Sequence, residues 1–338
     1  GGVMLPTTRG EDTGKVQSIG ARYAQGEITL EDAQDVACHT CASPGGGCQF
    51  LGTAATSQVV AEALGLALPH SALAPSGQPI WHDIARRSAQ ALTQLVKKGI
   101  SGKAILTEAA AHNAMVLHAA FGGSTNLILH LPAVLYEAGL PRPRLEDWER
   151  VNRQVPRLVD VLPNGPNNYP TLYVYLAGGV PEVMLHLRDL GLLRLDALTV
   201  TGHTVGEVLE WWENSPRRHH LREVLRQEAG VEPDQVILSP SRAAESGMTG
   251  TSCFPRGNLA PGGSVVKSTA IDPRVLDKNG VFDRVLRARV FVREKDAVAA
   301  IKGQGSDPVR PGDAVVLIGR GPMGSGMVLV FSGQPMFM

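Results

Sequence analysis

Charge of one sign is missing from this chain: 32 lysines and arginines face 32 aspartates and glutamates, a formal net charge of +0 at pH 7. Without a basic field there is no electrostatic footprint for nucleic acid or an anionic membrane surface. No signal-peptide core is found, and no apolar run approaches the roughly 20 residues needed to span a bilayer, so neither a membrane partner nor export is expected and the cytoplasm is the expected compartment. Cysteine is sparse, with four residues at Cys38, Cys41, Cys48 and Cys253. That is too few for a disulfide scaffold in a chain this long, and the clustering of three points to reduced thiols or to metal. Aromatic residues make up only 5%, whereas Gly (38) and Pro (23) are abundant. This balance suits a loop-rich α/β enzyme better than a helical bundle. The 338 residues are 43% hydrophobic, enough for a large core divided over two or three domains.

Periodicity and punctuation predict helices from about Thr29, with Thr29 and Asp32 as a capping pair, then over Thr53–Leu64 with Gly65 as the stop. A long helix carries Trp81, Ile84, Leu92, Leu95 and Val96 and ends at Gly99. Further helices are expected over Glu108–Ala120, from Leu127 to Gly139, over Pro181–Leu190, Val205–Trp212 and Arg218–Gln227. Met184, Leu185 and Leu187 read as core, and His219 and His220 as a solvated face. Beyond residue 233 the pattern changes to short β-rich runs, Val236–Leu238, Gly263–Ala270, Arg287–Val292 and Ala314–Ile318, divided by Gly and Pro turns. The expected fold class is therefore α/β: a mostly helical α/β N-terminal domain over 1–235, then a β-rich, barrel-like C-terminal domain over 236–338. The start at Gly1-Gly2-Val3-Met4 and the uncapped apolar tail to Met338 are expected of a fragment, with both domains incomplete. No internal repeat is present.

Two loops carry the chemistry. In Ala42–Ala54, three glycines lead into Cys48 and a helix opens just after it. Glycine lets the backbone approach a bulky group, a thiolate is a soft ligand for iron–sulfur, zinc or copper, and loop N–H groups can donate to cluster sulfides. The plain alternative is a buried, inert thiol in a turn. In Gly122-Gly123-Ser124-Thr125-Asn126, N–H groups and hydroxyls are offered to an anion at a helix N-terminus, and the plain alternative is ordinary capping. Smaller candidates are His70, Ser71, Ser76 and Gln78 in a polar loop that either hydrogen-bonds sugar hydroxyls or is a plain Pro-rich connector, Asn164–Asn167 as a loop near the substrate or a simple turn, Lys267 as a carboxylate ligand or a strand-end surface lysine, and Cys253 as a packed thiol.

Taken in order, Pro44–Ala54, Glu62–Leu66, Phe121–Asn126 with Leu129-His130-Leu131, Gly257–Pro261 with Ser264–Lys267, and Gly321–Met327 resemble the family of dihydroxy-acid dehydratase and 6-phosphogluconate dehydratase. Ala42–Ala54 and Leu68–Gly77 are most similar to its sugar-acid branch, the xylonate dehydratases. The resemblance implies a hydro-lyase that removes water from a D-xylonate-like 2,3-dihydroxy acid to give a 2-keto-3-deoxy acid. It implies an iron–sulfur cluster, 2Fe–2S in preference to 4Fe–4S, with Mg²⁺, and a small-molecule sugar acid as partner in a homo-oligomer. By the same resemblance Cys48 matches a cluster cysteine and is the candidate metal ligand. Gly47, Thr53, Ser124, Thr125, Asn126, His70 and Ser71 are candidates for the substrate or for support around the cofactor. The catalytic serine of the family is expected beyond the C-terminus and the other metal ligands outside this sequence, so the isolated chain is expected to be inactive. The competing reading is a non-catalytic zinc or iron–sulfur module using Cys38, Cys41 and Cys48, with His39 as a fourth ligand. A phosphate-binding α/β enzyme built on Gly122–Asn126 is a third, weakened by the absence of a P-loop lysine.

Overall fold

Helix capping begins where the sequence says it should. A computed structural model describes residues 2–3, 19–20, 22–24, 26–39, 46, 50–304 and 306–319. Cys41, Gly47 and Cys48 lie outside the described residues, as does everything from residue 320. Helix α1 (Leu30–His39) is opened by the expected pair: Thr29 N and Oγ1 donate to Asp32 Oδ2, and Asp32 N donates back to Thr29 Oγ1. This reciprocal arrangement satisfies donors that a helix start leaves free. Cys38 is exposed on the last turn of α1.

Helix α2 (Thr53–Ala63) buries Ala55, Val59, Val60 and Ala63. Helix α3 (Ile80–Lys98) stops at Gly99, which adopts the left-handed φ of 66°. Of the apolar residues that mark α3, only Ile84 and Leu95 are buried, while Leu92 and Val96 are 63% and 73% exposed. A short turn, α4 (Gly102–Ile105), leads to α5 (Glu108–Phe121), the central helix. Its run of Ala, Met, Val, Leu and Phe is buried on nearly every side, and Thr107 caps it by accepting from Ala110 N. Leu117 and Phe121 are fully buried, each stabilising the fold by about 1.5–3 kcal/mol. Helices α2, α7 (Leu145–Gln154) and α9 (Gly179–Asp189) pack on it, and α6 (Leu127–Glu137) packs on α2. Helices α8 (Thr171–Ala177), α10 (Val205–Glu213) and α11 (Pro216–Ala229) complete this layer, followed by the short α12 (Pro233–Val236) and α13 (Pro240–Glu245). One hydrophobic cluster runs from Val3 to Phe254, so the core extends past residue 235. Met184, Leu185 and Leu187 belong to it, and His219 and His220 are exposed, both as read from the sequence.

The later segment differs in detail from the strand pattern. Val236–Leu238 is not a strand: Pro233 at the first turn starts α12, and Ile237 makes only an isolated bridge with Val159. Strands β1 (Ser252–Cys253) and β2 (Val266–Lys267) form an antiparallel ribbon with Ser252 opposite Lys267. Strands β3 (Arg287–Phe291) and β4 (Asp313–Leu317) are parallel, joined across α14 (Glu294–Ile301). A parallel pair needs such a crossover, which the strand-by-strand reading missed. Among the described residues the strands form these two-stranded sheets and close no barrel. Cys253, expected to be packed, is exposed. No described helix is long and apolar enough to cross a membrane.

Candidate functional site

The site forms where α5 ends and α6 begins, against the first turn of α2. Gly122 terminates α5 with φ 66°, and both glycines of the turn are sterically required. A Cβ on Gly122 would lie 2.6 Å from Thr251 Cγ2 and 3.1 Å from Arg157 Cδ. On Gly123 it would lie 2.6 Å from His118 Cδ2 and 2.7 Å from Thr56 Cγ2. Close approach of backbone to neighbouring side chains is what glycine permits here.

That approach joins two loops far apart in sequence. Thr53 Oγ1 lies 3.2 Å from Ser124 Oγ and accepts from Asn126 Nδ2 at 2.8 Å. Thr56 Oγ1 accepts from Ser124 N at 3.1 Å and donates to Gly52 O. His118 Nε2 donates to Ser124 O at 2.9 Å, which fixes its tautomer and leaves Nδ1 buried without a partner. Burial lowers the His118 pKa to about 4, so the ring is neutral at pH 7. Three of the residues singled out in the sequence, Thr53, Ser124 and Asn126, thus share one hydrogen-bonded network, and Thr125 sits between two of them in the turn. Thr53 lies five residues beyond Cys48, at the point where the cysteine loop enters α2.

His70 and Ser71 lie elsewhere. They meet Glu62, nine residues along α2 from Thr53, or about 13 Å at 1.5 Å per residue. The Glu62 carboxylate accepts from His70 N, Ser71 N and Ala72 N at 2.6–3.1 Å. Burial pushes this carboxyl up to about 7, against the pull of those three N–H groups. His70 Nδ1 accepts from Arg217 Nε at 3.2 Å and Nε2 donates to Tyr175 O at 3.0 Å. Its ring is stacked between Tyr175 and Trp212, and burial with the Arg217 charge lowers its pKa to about 3. This is a closed packing network of the core.

Residues that sequence reading passed over or set aside complete the surroundings of the turn. Lys267 is half-buried and points Nζ at Gly122 O (3.4 Å) and Gly123 O (3.3 Å), so it is not a surface lysine. Burial and the Arg157 charge lower its pKa to about 8. Asn164 Nδ2 donates to Gly122 O, and its Oδ1 accepts from Thr269 Oγ1. Arg157 is buried and donates to Asn164 O. The Asn164 loop, for which the sequence offers both a place near the substrate and a simple turn, thus contacts the Gly122 turn. His118 and Arg157 carried no signal at all, since a lone polar residue in an apolar segment has no spacing to mark it.

Comparison with known proteins gives the family. Residues 1–208 match the model for the dihydroxy-acid/6-phosphogluconate dehydratase N-terminal domain, and residues 236–336 match that for the C-terminal domain. The chain belongs to the dihydroxy-acid/6-phosphogluconate dehydratase family. It is 62% identical over 97% of its length to D-xylonate dehydratase YagF of Escherichia coli, covering 50% of that protein. To D-xylonate dehydratase YjhG of Escherichia coli it is 56% identical over the same shares. To the dihydroxy-acid dehydratase of Renibacterium salmoninarum it is 36% identical over 91% of this chain and 48% of that protein. The chain therefore spans about half the length of the relatives it matches. Within this member of the dehydratase family, no three His, Cys, Asp or Glu residues converge among the described residues as a metal site would require. The groups around Gly122–Asn126 are hydroxyl, amide, imidazole and ammonium, a set suited to hydrogen bonding that does not by itself hold a metal.

Proposed function

We propose that this chain contributes the sugar-acid binding part of a hydro-lyase that dehydrates a D-xylonate-like 2,3-dihydroxy acid to a 2-keto-3-deoxy acid. The observation that carries the reading is the network of Thr53, Ser124 and Asn126, which lies on the two motifs that connect the chain to dehydratases of known name. The Ser124 hydroxyl and the Asn126 carboxamide, each within 3.2 Å of Thr53 Oγ1, can trade these bonds for bonds to vicinal hydroxyls. The reaction removes the C2 proton and the C3 hydroxyl as water, and the resulting enol becomes the ketone. Hydrogen bonds to the substrate's hydroxyls orient the C2–H and C3–O bonds for that loss. The neutral His118 holds the Ser124 carbonyl and so fixes the turn without bringing a charge of its own.

Cys48 remains the candidate ligand for the iron–sulfur cluster, 2Fe–2S in preference to 4Fe–4S, and Mg²⁺ belongs to the same reading. Support for both comes from the motif and the family. A Lewis acid is what a hydroxide leaving group requires. Because the named xylonate dehydratases are about twice as long, the 338-residue chain alone is proposed to bind the acid without turning it over.

Calorimetric titration of the chain with D-xylonate tests the binding claim. Saturable binding is expected, and Asn126→Ala, which removes the amide donor to Thr53, is expected to weaken it by about five- to tenfold, one neutral hydrogen bond. Equal binding by wild type and variant removes the network from the site.

A further inference from the structure

The carbonyl of Gly122 is gripped by a residue from outside the two loops that meet there. Asn164 Nδ2 donates to Gly122 O at 3.1 Å, and Asn164 Oδ1 accepts from Thr269 Oγ1 at 2.9 Å. The two bonds fix each other. A carbonyl only accepts, so the carboxamide turns its nitrogen to Gly122, and the Thr269 hydroxyl holds it there by donating to the remaining oxygen. Flipped, the amide would set oxygen against oxygen and leave Gly122 O without this donor.

Both ends of the bridge are anchored. Asp160, 1% exposed, accepts from Asn167 N, Asn167 Nδ2 and Asn168 N, which closes the 160–168 loop on itself. Gly165 permits that closure, since a Cβ there would lie 1.8 Å from Asp160 Oδ1. Arg157 donates to the Asn164 carbonyl, and Asn164 N donates to Val161 O. Just before the loop, Leu158 N donates to Ala120 O at the end of α5. At the other end, Ser268 N donates to Thr251 O and Ser268 Oγ to Gly250 O, which seats the neighbouring Thr269. Asn164 therefore holds Gly122 from a rigid base, and Ser124 and Asn126 follow in the same turn.

We infer that Asn164 is a positioning residue of the sugar site: its carboxamide fixes the Gly122–Asn126 turn, and does so only while Thr269 is docked against it. The inference rests on the proposed function for what the turn binds, and on the hydrogen bonds alone for what holds the turn. Asn164 acts through Gly122, keeping Ser124 and Asn126 where a polyol meets both at once.

The test pairs amide exchange of the free 338-residue chain with calorimetric titration by D-xylonate. It compares the wild type with Asn164→Ala, Thr269→Val, Thr269→Ser and the double variant Asn164→Ala/Thr269→Val. Thr269→Val is close in shape and removes the hydroxyl, so it keeps the test alive if Asn164→Ala fails to fold. Exchange in peptides covering 120–128 is expected to quicken several-fold in Asn164→Ala and Thr269→Val, and to keep the wild-type rate in Thr269→Ser. D-xylonate affinity is expected to fall about three- to tenfold in the same two variants, as for one neutral hydrogen bond, and to be retained by Thr269→Ser. The double variant is expected to bind no more weakly than Asn164→Ala, because both residues act through one chain of bonds. A merely structural role would lower the urea midpoint and leave the affinity alone. Wild-type exchange at 120–128 in every variant that folds overturns the inference, and so does D-xylonate binding that no variant weakens. Additive losses in the double variant also overturn it, since Thr269 would then act by another route. Faster exchange in Asn164→Ala and Thr269→Val, with no D-xylonate bound by the wild type, keeps Asn164 as the residue that fixes the turn and overturns the sugar-acid reading.

Discussion

At Gly123 a single methyl group is the most damaging addition the site could receive. Its Cβ would press on His118 and on Thr56 at 2.6–2.7 Å, and neither is a flexible chain end. Gly123→Ala is expected to destabilise the chain by about 1–3 kcal/mol, the usual cost of overpacking, and to displace Ser124 from Thr53. A shifted urea midpoint together with weakened D-xylonate binding is the expected result. His118 gives a pH signature. Its folded pKa of about 4 lies below the unfolded value of 6.5, so unfolding takes up a proton between those limits. Stability from this group is complete above pH 6.5 and is lost as pH falls towards 4, by about 3 kcal/mol over the window. His118→Gln keeps a donor for Ser124 O, and its urea midpoint is expected to depend less on pH between 4 and 6.5 than that of the wild type. An unchanged slope would mean that the ring is not buried neutral. The glycines were legible in the sequence because a Gly-Gly pair before a hydroxyl-rich turn has few other uses. His118, Arg157 and Lys267 were not, because their partners are backbone carbonyls and orphaned donors that only the fold assembles.

Helices show which local signals survive packing. The Thr29/Asp32 and Thr204/Glu207 caps form, and Gly65, Gly99 and Gly139 take the left-handed φ at or just after helix ends. Local chemistry decides these points, so they are readable one turn at a time. Helix α7 has no counterpart in the sequence reading, although Leu145, Trp148 and Val151 mark a face three residues apart, two of them buried. Val236–Leu238 read as strand by its β-branched residues, but Pro233 and the demands of the shared core prevailed. One polar cluster ties three of the helices together. Glu182 of α9 accepts from both Arg218 nitrogens at 2.7 and 2.8 Å, from Arg222 of the same α11, and from Trp212 Nε1 of α10. It is 4% exposed, and deleting the acid takes from Arg218 its carboxylate partner and from Trp212 its acceptor, while Arg222 keeps Asp234. Glu182→Ala is expected to cost about 3–5 kcal/mol, the penalty for one missing partner of a buried ion pair, measured as a drop in urea midpoint with an unchanged m-value.

At the scale of the molecule, the helical part and the segment around 250–270 meet at the turn. Lys267 reaches Gly122 and Gly123, Thr269 reaches Asn164, and Arg256 pairs with Glu146. A composition change near residue 233 was visible in the sequence, but these contacts were not, because they join positions more than 100 residues apart. The α/β class and the family were legible from ordered motifs, which depend on residue order and not on three-dimensional closure. The parallel β3–α14–β4 unit was half legible: both strands were read, while the short α14 between them was not.

The central claim is that a sugar acid occupies the turn between α5 and α6. Hydrogen–deuterium exchange of the chain with and without D-xylonate, with D-xylose as the neutral control, tests it most directly. The account predicts slower exchange confined to peptides covering residues 50–56, 120–128 and 264–269, with D-xylonate only. Protection elsewhere in the chain, or none at those peptides under saturating D-xylonate, would contradict it.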